Sequence, residues 1–405
     1  MNPKLLLNEL AIFRGTPAFE EKLHVGRPNL GDRARLMERI NSILDTRWLT
    51  NGGAYVQEFE RRVAELVGVT YCVAMCNATA ALEIAIRALN LTGDVLVPSF
   101  TFIATAHALR WQQITPVFCD IDAKTHNIDP LRIEELITPR TTGIIPVHLW
   151  GRACDTDAIA EIAGRRNLKV LYDAAHAFGC SHAGRAIGGF GECEVFSFHS
   201  TKVINSFEGG AVVTNDAELA DRMRLMRNFG FSDYDEVIHL GINGKMMEVC
   251  AAMGLTSLEA MTDIVAVNWR NWEAYRESLM ALPGISLIKY DPTEHNNYHY
   301  VVIEVDPERA PLSRDELLAV LQAENVLARR YFWPGCHRME PYRTLYPDAH
   351  LLLPQTERIA AQVLTLPTGQ TITPEIIRVI CDIIRSAFEN AGEIRRMLAK
   401  KPAGQ

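Results

Sequence analysis

The chain reads as an α/β protein, with a large domain on a mostly parallel sheet followed by a smaller α+β domain. Two observations predict this. From about residue 65 to 215, short Val/Ile/Leu-rich runs alternate with helical patterns. The runs are continuous rather than alternating, which marks strands buried on both faces by covering helices. Beyond Pro283-Gly284 the order changes to a few strands and amphipathic helices, which sets off the second domain.

In chain order, Asn77-Ala78-Thr79 precedes a helical pattern from Ala80 to Leu91, with Leu82, Ile86 and Leu89 on one face. Strands are expected at Val95–Pro98, Pro116–Asp120, Gly143–Val147, Val170–Asp173, Val195–Phe198 and Ala211–Thr214. Leu255, Leu258, Met261, Ile264 and Val265 predict one long helix over 254–280. The smaller domain contributes a strand over Tyr300–Val305 and helices over 314–324 and 376–388. The polar end around Lys400-Lys401-Pro402 reads as a frayed tail.

The 405 residues are 48% hydrophobic and 22% charged, an ordinary globular balance that allows two or three domains. A net charge of −8 argues against a nucleic-acid footprint, which needs a clustered basic face. No apolar stretch reaches the length of a membrane span. Nine scattered cysteines fit reduced thiols, so the expectation is a soluble cytoplasmic protein. Cys72 and Cys76 read as small buried apolar residues. His176, Cys180, His182 and Cys193 make the nearest metal pattern, but they lack the paired short spacings of zinc sites, and no metal is expected.

The chemistry concentrates at Lys202. The apolar run Val195-Phe196-Ser197-Phe198 ends in His199-Ser200-Thr201-Lys202, and another apolar strand follows Glu208-Gly209-Gly210. An amine at a strand end can form a Schiff base with an aldehyde cofactor if its neighbours tune it. Asp173, 29 positions earlier, ends another apolar run. In such sheets ligands sit beyond the carboxyl ends of the strands, and Asp before Lys in this order is that of a pyridoxal phosphate site. There Asp173 would pair with the pyridine nitrogen and keep the ring an electron sink. Asp173 can equally be a helix cap, and Lys202 alone an ordinary surface lysine. His176 can hydrogen-bond the ring hydroxyl or sit as a satisfied core histidine. Phe102 can stack on the ring or belong to the core. The small residues Asn77-Ala78-Thr79 at a helix start leave N–H groups free for a phosphate, with Ser197 as a further donor, or simply cap the helix.

These residues carry a family resemblance. The runs Gly26-Arg27-Pro28, Leu49-Thr50-Asn51-Gly52-Gly53, Asn77-Ala78-Thr79-Ala80-Ala81-Leu82, Val97-Pro98-Ser99-Phe100-Thr101-Phe102, Pro146-Val147-His148-Leu149-Trp150-Gly151, Asp173-Ala174-Ala175-His176-Ala177 and Phe196-Ser197-Phe198-His199-Ser200-Thr201-Lys202 follow one another in a specific order. Together they resemble the sugar aminotransferases of the DegT/DnrJ/EryC1/StrS family, over nearly the whole chain. The resemblance implies a type I fold of pyridoxal phosphate-dependent transferases, with a seven-stranded-type sheet. It implies a large cofactor-binding domain with an N-terminal arm over 1–265, a small domain over 266–395 and a flexible tail over 396–405. Lys202 would be the covalent anchor of pyridoxal 5'-phosphate, Asp173 the partner of its pyridine nitrogen and His176 that of its phenolic oxygen. Ala78, Thr79 and Ser197 would hold the phosphate, and Phe102 would cover the ring. Asn243 matches a segment that reaches the neighbouring subunit's phosphate, which implies a homodimer with shared active sites.

His176 stands where many members have Gln, and Lys245 where many have Arg. The Gly244-Lys245-Met246 version resembles members acting on dTDP-hexoses, including producers of dTDP-4-amino-4,6-dideoxyglucose. The expected reaction moves an amino group from glutamate to a nucleotide-linked keto sugar, at C4 of dTDP-4-keto-6-deoxyglucose. A C3-aminotransferase is the alternative regiochemistry. A deoxysugar dehydratase of the same fold would use the same cofactor, but related C3-dehydratases have His in place of Lys202. A non-catalytic cofactor-binding regulator would tolerate loss of the Asp/Lys pair, which is intact here.

Overall fold

The computed structural model describes residues 9–399. The first layer is set by helices α1 (Arg33–Thr46) and α2 (Ala54–Val67), which precede strand β1 (Tyr71–Met75). The chain then runs α3 (Ala78–Ala88), β2 (Asp94–Pro98), α4 (Ala104–Arg110), β3 (Thr115–Cys119), α5 (Pro130–Leu136), β4 (Thr141–Ile144), α6 (Thr156–Arg166), β5 (Lys169–Asp173), β6 (Cys193–Ser197), β7 (Gly210–Thr214) and α7 (Ala217–Met226). The seven strands form one sheet in the order β1-β7-β6-β5-β4-β2-β3. The sheet is parallel from β6 to β3, whereas β7 runs antiparallel to both β6 and β1.

Side-chain alternation explains why both faces are covered. Cys72, Ala74, Leu96, Phe196, Ala211 and Val213 join the cluster formed with α2, α6 and α8 (Glu248–Glu259). Their strand neighbours Val73, Met75, Val95, Val97, Val195 and Val212 join the opposite cluster with α3 and α7. Successive residues of a strand point to opposite faces, so a strand buried on both sides needs an unbroken apolar run.

Two differences from the sequence reading have physical causes. Strand β1 was not anticipated, and it makes the seventh strand at the sheet's edge. The single helix expected over 254–280 is two: α8 and α9 (Met261–Leu279), bent by 60° where Ala260 adopts ψ 0°. Glu259, the last residue of α8, is held by Arg35, Arg39 and Arg62 from α1 and α2. That ties α8 to the large sheet, while α9 turns away to pack on α12 (Pro374–Glu389). Apolar spacing runs on across the joint, so periodicity could not reveal it.

The second sheet has three antiparallel strands, β8 (Ile285–Leu287), β9 (Val301–Val305) and β10 (Val363–Leu366). It packs with α9, α10 (Arg314–Ala323), α11 (Pro354–Gln362) and α12 around its own core. A capping box at Ser313 and Glu316 starts α10. Helix α13 (Ala391–Leu398) buries Ile394, so residues 396–398 are helical rather than part of a tail. Residues 400–405 lie outside the described residues. Among the described residues, no single helix is long and apolar enough to cross a membrane.

Candidate active site

The fold brings Asp173 and Lys202 to the same end of the sheet. Asp173 is the last residue of β5 and is buried. Its amide donates to the Pro146 carbonyl (2.9 Å) and its carbonyl accepts from His148 N (3.0 Å), so its backbone is pinned to the loop after β4. Thr105 Oγ1 donates to Oδ2 at 2.8 Å, and Ala175 N to Oδ1 at 3.1 Å. Burial pushes the carboxyl pKa up, while these two hydrogen bonds and then the Lys202 charge pull it back.

Lys202 lies in the turn after β6 rather than on the strand itself, with its amide donating to the His199 carbonyl (2.9 Å). Its Nζ donates to the Tyr300 hydroxyl at 3.3 Å. The residue as a whole keeps partial solvent exposure. Desolvation of the amine nevertheless pushes its pKa down to about 8, against the pull of Asp173. An amine with that pKa is about one-tenth neutral at pH 7, which is the form a nucleophile or base requires.

His176 is buried three residues past Asp173. Burial, with the neighbouring Lys202 charge, holds its pKa well below the usual histidine value. The Trp150 amide donates to its Nδ1 at 3.3 Å, so the ring proton of the neutral form sits on Nε2. Trp150 achieves this at φ 61°, a left-handed conformation unfavourable for a bulky residue. Its indole and the Phe332 ring stack with His176, each at 5.8 Å between centroids, and Tyr300 lies at 4.5 Å.

A second cluster forms where α3 begins. Asn77 caps the helix by accepting from Ala80 N at 2.8 Å. The Ala78 and Thr79 amides precede any intrahelical carbonyl they could use, so the first turn presents them outward. Gly210 faces this turn. A Cβ there would stand 2.5 Å from Ala78 N, so only glycine permits strand β7 to approach so closely. Gly210 also pairs directly with Ser197, the end of β6, which brings that hydroxyl residue to the same corner. Asn243 is exposed, bridges Asn228, and precedes Gly244, whose carbonyl accepts from Cys76 N at 2.8 Å. Cys76, expected to be buried, is only half-buried, because it sits past the end of β1. Phe102 lies on the turn after β2 and is 58% exposed, outside the apolar core.

Three residues of this site escaped the sequence reading: Thr105, Tyr300 and His299. His299 Nε2 donates to the Thr201 carbonyl at 2.7 Å, and burial pushes its pKa down to about 4, which keeps it neutral. That contact fixes the turn carrying Lys202. No local signal marks them, since each meets its partner from 68 or more residues away.

A lysine with a lowered pKa, a buried carboxylate and a glycine-gated helix start are the parts of a cofactor-aldehyde site, and comparison with known proteins agrees. The model of the DegT/DnrJ/EryC1/StrS aminotransferase family matches residues 31–385. The chain belongs to this family. It is 40% identical to a dTDP-4-amino-4,6-dideoxy-D-glucose transaminase of Shigella dysenteriae, covering 90% of this chain and 99% of that one. It is 35% identical to a GDP-perosamine synthase of Caulobacter vibrioides, over 89% of this chain and 96% of that one. Among solved structures, DesI with its TDP-sugar product superposes with a TM-score of 0.92 at 50% identity, covering 98% of this chain and 99% of DesI. The chain is therefore a pyridoxal phosphate-dependent sugar nucleotide aminotransferase on a type I fold. Its residues fit that cofactor: the first-turn amides of Ala78 and Thr79, against which only a glycine at 210 can pack, are free for a phosphate, and Lys202 and Asp173 supply the amine and carboxylate.

Proposed function

We propose that the chain transfers the amino group of glutamate to C4 of dTDP-4-keto-6-deoxyglucose, as a homodimer with shared active sites. The observation that carries the catalytic reading is the Lys202 amine, held near pKa 8 beside Asp173 and hydrogen-bonded to Tyr300. The choice of sugar rests on similarity to a transaminase named for a 4-amino-4,6-dideoxyglucose and to a structure holding a TDP-sugar.

Bound pyridoxal phosphate supplies an aldehyde that carries the amino group and a ring that accepts the electron pair left by proton loss. Lys202 anchors the cofactor, and Ala78 N, Thr79 N and Ser197 Oγ bind its phosphate. Asp173, oriented by Thr105, keeps the pyridine nitrogen protonated, and the Nε2–H of His176 faces the phenolic oxygen. Phe102 covers the ring. In each half-reaction Lys202 Nζ would act first as base and then as acid, removing the α-proton of glutamate in the first half and protonating C4 of the sugar at the end of the second. Tyr300 accepts a hydrogen bond from that amine and orients it. Asn243 completes the phosphate site of the second subunit. Nine unpaired thiols support work in a reducing compartment.

The test is incubation of the cofactor-loaded protein with glutamate and a panel of nucleotide keto sugars, with NMR to locate the new amine. An amine at C4 of the dTDP-hexose is expected. An amine at C3 would overturn the regiochemistry, and no aminated sugar at all would overturn the transfer reaction.

A further inference from the structure

Behind the aromatic column beside His176 lies a second buried imidazole. His126, on the loop between β3 and α5, is 1% exposed and sits at φ 62°. Its Nδ1 accepts the Trp150 indole N–H at 3.2 Å. We infer that His126 is a positioning residue for the reaction: it fixes the plane of the Trp150 indole, and through that ring it aims the Nε2–H of His176 at the cofactor's phenolic oxygen. The inference rests on the reading of His176 as the partner of that oxygen and adds the device that keeps it there.

A histidine in that role needs such a device. A glutamine side chain always carries N–H donors, whereas a neutral imidazole offers a single N–H, on either nitrogen. His176 serves only if its proton stays on Nε2 and its ring keeps facing the cofactor. Asn297 fixes the peptide, since its side-chain amide donates to the His176 carbonyl at 2.9 Å and to the Phe178 carbonyl at 3.1 Å. The ring itself is left to its neighbours. Trp150 holds it twice: its amide occupies Nδ1 at 3.3 Å, and its indole stacks on the imidazole at an interplanar angle of 25°.

Trp150 is held in turn from the loop that carries His126. Asn127 Oδ1 accepts from Leu149 N at 3.0 Å, and its Nδ2 donates to the Ala153 carbonyl at 2.7 Å, which brackets the backbone of the turn. Those bonds fix the peptide but not the indole. Stacking on Phe332 limits the tilt of the indole. Its N–H can only donate and is fully enclosed, so the position of an acceptor decides which way the ring lies. His126 accepts at Nδ1 only while its own proton is on Nε2. Glu304 favours that form, with Oε1 3.2 Å from Nε2, although out of line for a good hydrogen bond. Two imidazoles are thus held in series, each in the tautomer that the next contact requires.

The visible absorption of the bound cofactor, followed through a pH titration of the cofactor-loaded full chain, tests this. A donor on the phenolic oxygen favours its charged form and lowers the pH at which the chromophore loses its proton. His176→Leu removes the donor and should raise that midpoint by about one unit, the weight of one hydrogen bond. His126→Phe keeps a ring without an acceptor and should raise it by about half a unit or more. His126→Asn keeps an oxygen where Nδ1 stood and suits a left-handed backbone, so its midpoint should stay within about 0.2 units of the unaltered protein. Trp150→Phe deletes the indole N–H from the other side and carries the test if His126→Phe does not fold. It should raise the midpoint as His126→Phe does, with no further rise when the two are combined. If His176→Leu shifts the midpoint, then an unmoved midpoint in His126→Phe or Trp150→Phe, or an equal rise in His126→Asn, overturns the positioning role of His126 alone. An unmoved midpoint in His176→Leu refutes instead the pairing of His176 with the phenolic oxygen, and what rests on it.

Discussion

Lys202 should take up the cofactor aldehyde with a pH midpoint far below that of an ordinary lysine. Desolvation pushes its amine to about 8, from an ordinary 10.5. At pH 7 that leaves about one-tenth of the amine neutral, against about three in ten thousand for an unperturbed lysine, an advantage of about 300-fold. The assay is the rate of pyridoxal phosphate uptake by cofactor-stripped protein from pH 6 to 10, followed by visible absorbance. The rate should climb through pH 8 and level off above it. Asp173 works against the shift, since its negative charge favours the ammonium. Asp173→Asn should therefore move the midpoint to lower pH, a change that titration of the free cofactor would not produce. A midpoint above about pH 10, or one that ignores Asp173→Asn, would refute the desolvation argument.

Lys202→Ala should cut turnover by at least about 100-fold while the protein remains folded, as stopped-flow rates and circular dichroism would report. Thr105→Val leaves the buried Asp173 Oδ2 without its 2.8 Å donor, at a cost of about 1–3 kcal/mol in chemical denaturation. Because that donor lowers the Asp173 pKa, its loss should also shift the acid limb of the pH–rate profile to higher pH. Gly210→Ala forces a Cβ to within 2.5 Å of Ala78 N, so the helix start must move. A stability loss of about 1–3 kcal/mol and weaker cofactor retention in equilibrium dialysis are expected; unchanged retention would separate that corner from the phosphate.

The large sheet was legible because burial on both faces demands continuous apolar runs, which mark six of its seven strands in the reading above; β1, Tyr71-Cys72-Val73-Ala74-Met75, is equally apolar and was passed over. Strand direction was not legible. Nothing in Ala211-Val212-Val213 distinguishes an antiparallel strand from a parallel one, yet the reversal of β7 is what sets Gly210 against Ser197 and Ala78. Asp173 and Lys202 stood out because strand ends are visible in sequence and two polar groups there are few enough to weigh. Thr105, Tyr300 and His299 did not, because a hydroxyl or imidazole inside an ordinary run acquires meaning only once the fold delivers it. The bend at Ala260 was hidden for a related reason: its cause is the arginine cluster around Glu259, contributed by helices some 200 residues earlier.

The ring column of Trp150, His176 and Phe332 also gives the molecule an optical signal of its own. Trp150 is fully enclosed, while Trp48, Trp111, Trp269 and Trp333 are each at least 44% exposed and Trp272 is 8% exposed. Its fluorescence should therefore lie to the blue of the exposed indoles and resist quenching by iodide. Phe332 comes from the strap after α10 and His176 from the turn after β5, so the column joins the two sheets through an indole that touches both. Any separation of the sheets during turnover must pull this column apart and admit water to the indole. A red shift at the blue edge of emission would then time that opening directly, without a label.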